Sequence, residues 1–113
     1  MTYVKINNNI YPATINGYMN DTLWDNRKSK AITLEMDYET ALNTFIDGLS
    51  WFILAENLSF QNGEQIITTE EYDNSDYCVA GPITDNRDGT MTVKMGRFTE
   101  LEEAYAMLLG GVE

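Results

Sequence analysis

The segment from Trp24 to Gly48, WDNRKSKAITLEMDYETALNTFIDG, decides the fold, because it places a polar turn, a strand and an amphipathic helix in immediate succession. Residues 30–36 alternate between two faces, which predicts a half-buried strand. Asp37 follows as a predicted helix N-cap. Gly48 is the predicted end of that helix, which we expect to pack on the sheet. Its apolar stripe, at three- and four-residue spacing, consists of Tyr38, Ala41, Leu42, Phe45 and Ile46.

A shorter echo of the first half of this segment lies at residues 85–95. The tripeptide DNR at 25–27 is repeated at 85–87, and ITL at 32–34 is matched by MTV at 91–93. The repetition predicts a second hairpin corner of similar construction.

The other patterns predict short strands and one further helix. Pro12 cannot donate a ladder hydrogen bond, so we expect it at a sheet edge or strand start. The polar segment 19–29 is predicted to be a loop, the apolar run 50–56 a central strand, and 57–63 a loop or wide turn. The remaining predicted strands are 3–6, 10–18, 64–72, 77–83 and 90–95.

Thr99 and Glu102 form a capping box that predicts a second helix, with an apolar stripe of Leu101, Ala104, Tyr105 and Leu108. The predicted fold is a single α+β domain, residues 1–113, with a mainly antiparallel sheet of about six to seven strands and two amphipathic helices. The predicted order is β-β-β-α-β-β-β-β-α.

The distribution of charge is the most informative feature of the composition. The net charge is -11, and no basic residue lies between Lys30 and Arg87, where eleven acids fall. Such a field repels nucleic acid and attracts basic protein surfaces. The chain begins without a signal-peptide pattern and has no apolar run of about 18 residues, so we expect a cytoplasmic protein without membrane contact.

Acids two residues apart on a strand lie roughly 6.6 Å apart on one face, a spacing similar to that of successive phosphates in nucleic acid. We therefore predict an acidic face that occupies a groove built for nucleic acid. The alternative is a solvated face that only maintains solubility. The predicted acidic face comprises Glu35, Asp37, Glu39, Glu64, Glu70, Glu71, Asp73 and Asp76.

A second predicted contact surface is the polar turn beside a tryptophan, since arginine and tryptophan often anchor interfaces. The arginine of the echo would join it if both turns lay on one surface. This polar turn patch comprises Trp24, Asp25, Arg27, Lys28 and Arg87.

The sequence contains no pattern that commits it to catalysis. Histidine is absent, and Cys78 lies among apolar residues, which favours a structural thiol. The acids at 73–76 and 85–89 could bind calcium, but Asp, Asn and Gly there are what hairpin turns require. We predict no enzyme activity, no metal and no cofactor.

The strings at 11–38, 70–96 and 101–111, above all the WDNR-x-SKAITL segment, resemble a group of small uncharacterised proteins encoded in phages and prophages of gut Firmicutes. The resemblance implies a phage origin, and no activity or catalytic residues come with it.

Two functional classes follow. The first is an acidic protein that binds a basic partner and blocks a host nucleic-acid-handling or defence complex, in the manner of anti-CRISPR proteins that imitate DNA. The second is a virion or tail-assembly component, present in the virion rather than only in the host cytoplasm. Sequestration of a nucleotide by Arg27, Lys28 and Arg87 is a third alternative, and a homo-oligomer is left open.

Overall fold

The computed structural model describes residues 2–17, 22–24 and 26–110. Within those ranges the chain forms eight strands and two helices in the order β-β-β-β-α-β-β-β-β-α. The predicted α+β class with a mainly antiparallel sheet is confirmed, whereas the predicted strand number and order are wrong. The elements are β1 (Thr2–Ile6), β2 (Asn9–Asn16), β3 (Thr22–Trp24), β4 (Arg27–Glu35), α1 (Tyr38–Thr44), β5 (Phe52–Gln61), β6 (Glu64–Asp73), β7 (Val79–Asp85), β8 (Thr90–Gly96) and α2 (Glu100–Gly110).

All described strands belong to one antiparallel sheet in the order β6-β5-β1-β2-β4-β8-β7, and β3 also pairs with β4. The chain passes from Asp73 at one end of this order to Val79 at the other through a link that spans about 20 Å at full extension. A flat sheet of this width would measure roughly 29 Å. The sheet therefore curls, and its concave face encloses the core.

Strand β2 is the corner of the curl, because it pairs with two different neighbours along its length. Tyr3 of β1 lies opposite Pro12, and pairing with β4 begins at the next residue, Ala13, opposite Leu34. The expectation that proline lies at an edge or strand start is wrong, since β2 is an interior strand. Pro12 is tolerated there because it lies where β2 changes partner, so its missing N–H interrupts no ladder.

The two echo segments pair with each other. Ile32 lies opposite Val93, Thr33 opposite Thr92 and Leu34 opposite Met91. The echo is thus a second hairpin strand, as predicted, and the two copies form the centre of the β4–β8 ladder.

The core lies between the concave face and the short helix α1. The N-cap of α1 is Asp37, as predicted, because its carboxylate accepts a hydrogen bond from the Thr40 amide at 2.7 Å. The helix ends at Thr44 rather than at Gly48, whose amide instead donates to the Cys78 carbonyl at 2.8 Å. The buried apolar residues are Val4, Ile6, Ile32, Leu34, Ala41, Phe45, Leu49, Trp51, Ile53, Tyr77, Met91, Val93 and Met95.

Only part of the predicted stripe of α1 reaches this core. Ala41 and Phe45 are buried, whereas Tyr38, Leu42 and Ile46 remain about half exposed. The prediction was wrong because the chain turns at Phe45 and leaves a helix of seven residues, which is too short to cover the sheet with a full stripe.

The link between β6 and β7 is attached to the core by buried hydrogen bonds. The indole of Trp51 donates to the Tyr77 carbonyl at 2.9 Å, and the Asn74 amide donates to the Trp51 carbonyl at 2.9 Å. The Lys30 ammonium donates to the buried Asn74 side chain at 2.6 Å and lies 4.6 Å from the Tyr77 ring centroid. These contacts attach the link to β4 as well, which maintains the curl.

The segment predicted as a loop at 19–29 contains β3 and the start of β4. Thr22 lies opposite Ser29 and Trp24 opposite Arg27, and the Thr22 hydroxyl donates to the Ser29 carbonyl at 3.0 Å. The polar composition concealed this strand, since a three-residue strand gives no alternation to read.

Candidate protein-interaction surface

The β5–β6 hairpin extends beyond the body of the sheet. Strand β1 pairs with β5 only from Phe52 to Ala55, whereas β5 and β6 pair along their whole length to Gln61 opposite Glu64. In the described part of the chain, residues 56–69 therefore form a two-stranded ribbon, roughly 20 Å long at 3.3 Å per residue. The molecule measures 60 × 35 × 25 Å, so the ribbon makes it elongated.

The ribbon corrects two predictions about this region. Residues 57–63 are mostly strand, and only Asn62 and Gly63, with φ of 53° and 80°, form the turn. Asn-Gly is the strongest short hairpin signal in a sequence, so the pattern was available. The 50–56 run lies in the strand next to the edge rather than in a central one, with Ile53 buried and Leu54 half-buried.

One face of the ribbon carries three exposed large apolar side chains. Leu58 lies opposite Ile67, and Phe60 follows Leu58 by two residues, which places all three on the same face. They expose 59%, 60% and 69% of their surface, respectively. An isolated two-stranded hairpin is only marginally stable in water, so this ribbon is not explained as a stabilising element. Exposed apolar side chains grouped on one face are typical of a binding surface.

The acids of β6 divide between the two faces of that strand. Glu71 and Asp73 share the face of Ile67, whereas Glu64 and Glu70 point to the opposite face, because successive side chains alternate. Glu70 accepts a hydrogen bond from the Tyr72 hydroxyl. The predicted acidic face on β6 is therefore two short acidic pairs on an edge strand.

The acids of the β4–α1 junction form a separate group. Glu35 is exposed at the end of β4, and Glu39 is exposed in the first turn of α1. The hydrogen bond from Thr40 lowers the pKa of Asp37 below its usual range. Along the sheet, β4 is separated from β6 by three strands, so these acids do not continue the β6 row. Asp76 lies exposed in the link after β6.

Charge is segregated across the sheet. Among the described basic residues, only Lys5 lies in the β6-β5-β1 half, where its ammonium is 3.5 Å from the Glu71 carboxylate. Both side chains are exposed, so this ion pair contributes little to stability. The other basic residues lie in or beside β4 and β8. The ribbon half of the molecule therefore presents an acidic surface.

The predicted polar turn patch is not one surface. Arg27 lies at the start of β4 and Arg87 precedes β8, and these strands run antiparallel from Ser29 opposite Gly96 to Glu35 opposite Thr90. The two arginines therefore lie at opposite ends of the ladder, and the nucleotide alternative that required both is not carried forward. Asp25 lies outside the described residues.

Arg27 is occupied by internal contacts. Its guanidinium donates to both carboxylate oxygens of Glu102, at 2.7 and 3.1 Å, and to the Arg97 carbonyl at 3.1 Å. Glu102 also accepts from the Thr99 amide at 2.8 Å and the Thr99 hydroxyl accepts from the Glu102 amide at 3.2 Å, which confirms the capping box. The Arg27 hydrogen bonds lower the pKa of Glu102. Arg27 thus anchors α2 rather than offering a contact.

Trp24 is half-buried and packs across two strands that contain glycine. A Cβ at Gly81 would lie 2.8 Å from the indole, and a Cβ at Gly96 would lie 3.1 Å from it and 2.6 Å from Arg27 Cδ. A glycine in a sequence does not indicate which distant side chain lies against it, so sequence reasoning missed this role. Of the predicted patch, Lys28 and Arg87 remain exposed.

The acids of the two predicted turns serve the turns themselves. Asp73 accepts from the Ser75 amide and Asp85 from the Arg87 amide, each at 2.8 Å, and Asp88 accepts from the Thr90 amide at 3.0 Å. The hydrogen bonds from Ser75 and Thr90 lower the pKa values of Asp73 and Asp88. Within 2–17, 22–24 and 26–110, no three Cys, Asp or Glu side chains converge as a metal site would require.

No family model, curated protein or solved structure matches the chain. Neither described helix has the length and apolar character needed to cross a bilayer.

Proposed function

We propose that the protein is a non-catalytic binding protein whose β5–β6 ribbon recognises a basic protein surface, and that it inhibits a host nucleic-acid-handling or defence complex. The observation that carries the proposal is the β5–β6 hairpin. Its projecting ribbon has three exposed apolar side chains and Glu64, and β6 continues from the ribbon into the sheet with Glu70, Glu71 and Asp73. An interface of this kind supplies apolar contact area and electrostatic complementarity together.

The edge of β6 supports a mode of binding. Gln61 and Glu64 flank a two-residue turn, so they exchange backbone hydrogen bonds with each other. The next pair along the hairpin, Phe60 and Gln65, is a non-hydrogen-bonded pair, because the two kinds alternate. By alternation, the backbone groups of Gln65, Ile67 and Thr69 point to the outer edge, where the described chain places no strand. An extended partner segment rich in Lys or Arg would add to this edge. A second copy of β6 is disfavoured, since four acids from each copy would meet.

Fewer acids have the phosphate-like spacing on one face than the predicted acidic face contained. Glu71 and Asp73 lie two residues apart on one face of β6, and this pair retains the phosphate-like spacing of roughly 6.6 Å. The proposed partner surface is thus a basic site that accepts two charges beside an apolar strip, rather than a long groove.

The test is capture from a lysate of a gut Firmicute host, with the full chain as bait at low and moderate salt. The variant Glu71→Gln/Asp73→Asn should lose the captured protein, whereas the control Glu35→Gln/Glu39→Gln, which removes the same charge elsewhere, should retain it. Binding should weaken steeply as salt rises. The captured protein should then lose nucleic-acid binding in a gel-shift assay when the chain is added. Equal loss with both variants, or an unchanged gel shift, would contradict the proposal.

A virion or tail-assembly component is the second candidate function. The observation that favours it is the exposed apolar stripe of α2, because repeated assemblies require a surface of this kind on every copy. Mass spectrometry of purified virions decides this candidate, since an assembly component must be present in them.

A further inference from the structure

Helix α2 presents its apolar stripe to solvent. Leu101, Tyr105 and Leu108 recur at helical spacing and expose 81%, 63% and 69% of their surface. The predicted stripe is therefore largely exposed. The cause is the anchor at the first turn, because the Arg27–Glu102 ion pair orients the Glu102 side of α2 toward the domain. An amphipathic helix with its apolar side exposed is incomplete as a monomer.

The stripe continues onto the domain. Leu23 of β3 and Phe98, just before α2, are 78% and 53% exposed. Both line a groove of about 680 Å³ between the β3–β4 hairpin and the start of α2. We call Leu23, Phe98, Leu101, Tyr105 and Leu108 the α2 patch. Large apolar residues carry roughly 150–250 Å² each, so this patch exposes on the order of 600 Å², close to the apolar part of a standard interface.

The charges around the α2 patch complement one another within a single copy. Lys28, the cross-strand neighbour of Leu23, is exposed and lines the groove from the domain side. Glu100 and Glu103 line the same groove from the helix side. Glu100 is the one that flanks the apolar stripe, because Glu103 is two positions from both Leu101 and Tyr105 and points away from them. A surface that carries an apolar centre, a basic margin and an acidic margin is self-complementary about a two-fold axis, because each margin of one copy meets the opposite margin of the other.

We propose that two copies of this chain associate through the α2 patch around a two-fold axis. The apolar stripes pack against each other, and Glu100 of each copy lies against Lys28 of the other. A phospholipid surface is a poorer occupant, since a chain with a net charge of -11 is repelled by anionic membranes. This surface is separate from the ribbon, so self-association and binding of a basic partner are independent.

The test is sedimentation equilibrium of the full chain at 0.15 M salt, where the Debye length is about 8 Å. The wild type is expected to dimerise in the micromolar range. Leu101→Glu should weaken the dimer by at least tenfold, because it buries a charge in the apolar centre. The control Leu58→Glu, on the exposed ribbon, should leave the dimer constant unchanged. Circular dichroism of each variant verifies that it is folded.

Charge reversal distinguishes this two-fold arrangement from nonspecific association. Lys28→Glu and Glu100→Lys should each weaken the dimer several-fold, and the double variant should restore it, since the pair is then reversed at both margins. A dimer dissociation constant that Leu101→Glu leaves unchanged, or that the double variant does not restore, would overturn the proposal. A chain that stays monomeric at about 0.5 mM, including one whose patch binds vesicles or a foreign protein instead, would overturn it as well.

Discussion

Thr33 of β4 and Thr92 of β8 lie directly opposite each other, with their hydroxyl oxygens 2.8 Å apart. They are also the central residues of the two echoed tripeptides. Because the strands are antiparallel, the two copies are related by an approximate two-fold axis at this pair. The echo therefore reflects a repeated hairpin whose copies stabilise each other by direct pairing.

Replacing Thr92 by valine should cost more than replacing Thr33. Both residues take part in the threonine pair, but Thr92 also accepts a hydrogen bond from the Asn86 side-chain Nδ2 at 2.9 Å. We expect Thr92→Val to lower the free energy of unfolding by roughly 1–2 kcal/mol and Thr33→Val by about 0.5–1 kcal/mol. Urea denaturation of the two variants measures the difference. Equal costs would mean that the Asn86 contact does not contribute.

Local patterns predicted the elements that depend on neighbouring residues. The strand at 30–36, the Asp37 N-cap and the capping box at Thr99 each involve groups within a few positions, and the structure contains all three. The corner at Pro12 could not be predicted in this way, because the change of partner from β1 to β4 is set by strands distant in sequence.

The glycines under Trp24 show the same limit, and they lead to a steric prediction. Gly81→Ala places Cβ 2.9 Å from the Lys94 carbonyl, a backbone atom that cannot move aside easily. We expect a loss of roughly 1–3 kcal/mol, measured by urea denaturation. The control is Gly89→Asn, at a turn with φ of 90° and no atom within 4 Å, which introduces no steric overlap and costs only the backbone strain of a positive φ, to which asparagine is better suited than most residues. A control that costs as much as Gly81→Ala would contradict the steric explanation.

Asn74→Ala should destabilise the link between β6 and β7. Its side chain is 2% exposed, accepts from Lys30 and donates to the Tyr72 carbonyl at 3.1 Å. Removing these partners of buried groups costs roughly 1–3 kcal/mol. Asn43→Ala, on the exposed side of α1, should change stability by less than about 0.5 kcal/mol.

A second change tests whether Lys30 and Asn74 act together. Lys30→Met retains the apolar stem and removes the ammonium, so it should recover part of the loss in the Asn74→Ala background. Additive costs in this double-mutant cycle would show that the two side chains are not coupled.

The attachment of α2 should weaken in acid because of Glu102. Arg27 lowers the pKa of Glu102 in the folded chain, so the contribution to stability is fully present above the unfolded value of about 4.3. It is lost as pH falls through the lower folded value. The stability difference between wild type and Glu102→Gln should therefore shrink between about pH 5 and pH 3. The protection factors for amide exchange in the first turn of α2 should fall over the same interval in the wild type alone.

The acidic interval is visible in the sequence, whereas the arrangement of its acids in space is not. Alternation along β6 separates Glu64 and Glu70 from Glu71 and Asp73, and sheet order separates both pairs from Glu35. A linear count of charges contains neither fact. The apolar side of the ribbon was hidden for a related reason, because Leu58 and Phe60 face Ile67 and Gln65 only once the Asn62–Gly63 turn sets the register.

Shortening the ribbon should separate its binding role from any role in folding. The change replaces residues 58–67 by Asn-Gly. Asn57 and Thr68 lie opposite each other and, like Gln61 and Glu64, form a hydrogen-bonded pair. The new Asn-Gly turn therefore closes a hairpin of the same type. The core residue Ile53 and its partner Val4 lie outside the deletion.

We expect a folded protein whose melting temperature changes by only a few degrees. In the Leu101→Glu background, which weakens the dimer, the radius of gyration should fall from 16.4 Å toward about 13 Å by small-angle scattering. Capture of the basic partner should be abolished while dimerisation through α2 is retained. An unfolded product would assign the ribbon to the fold, and full capture by the shortened chain would remove it from the binding surface.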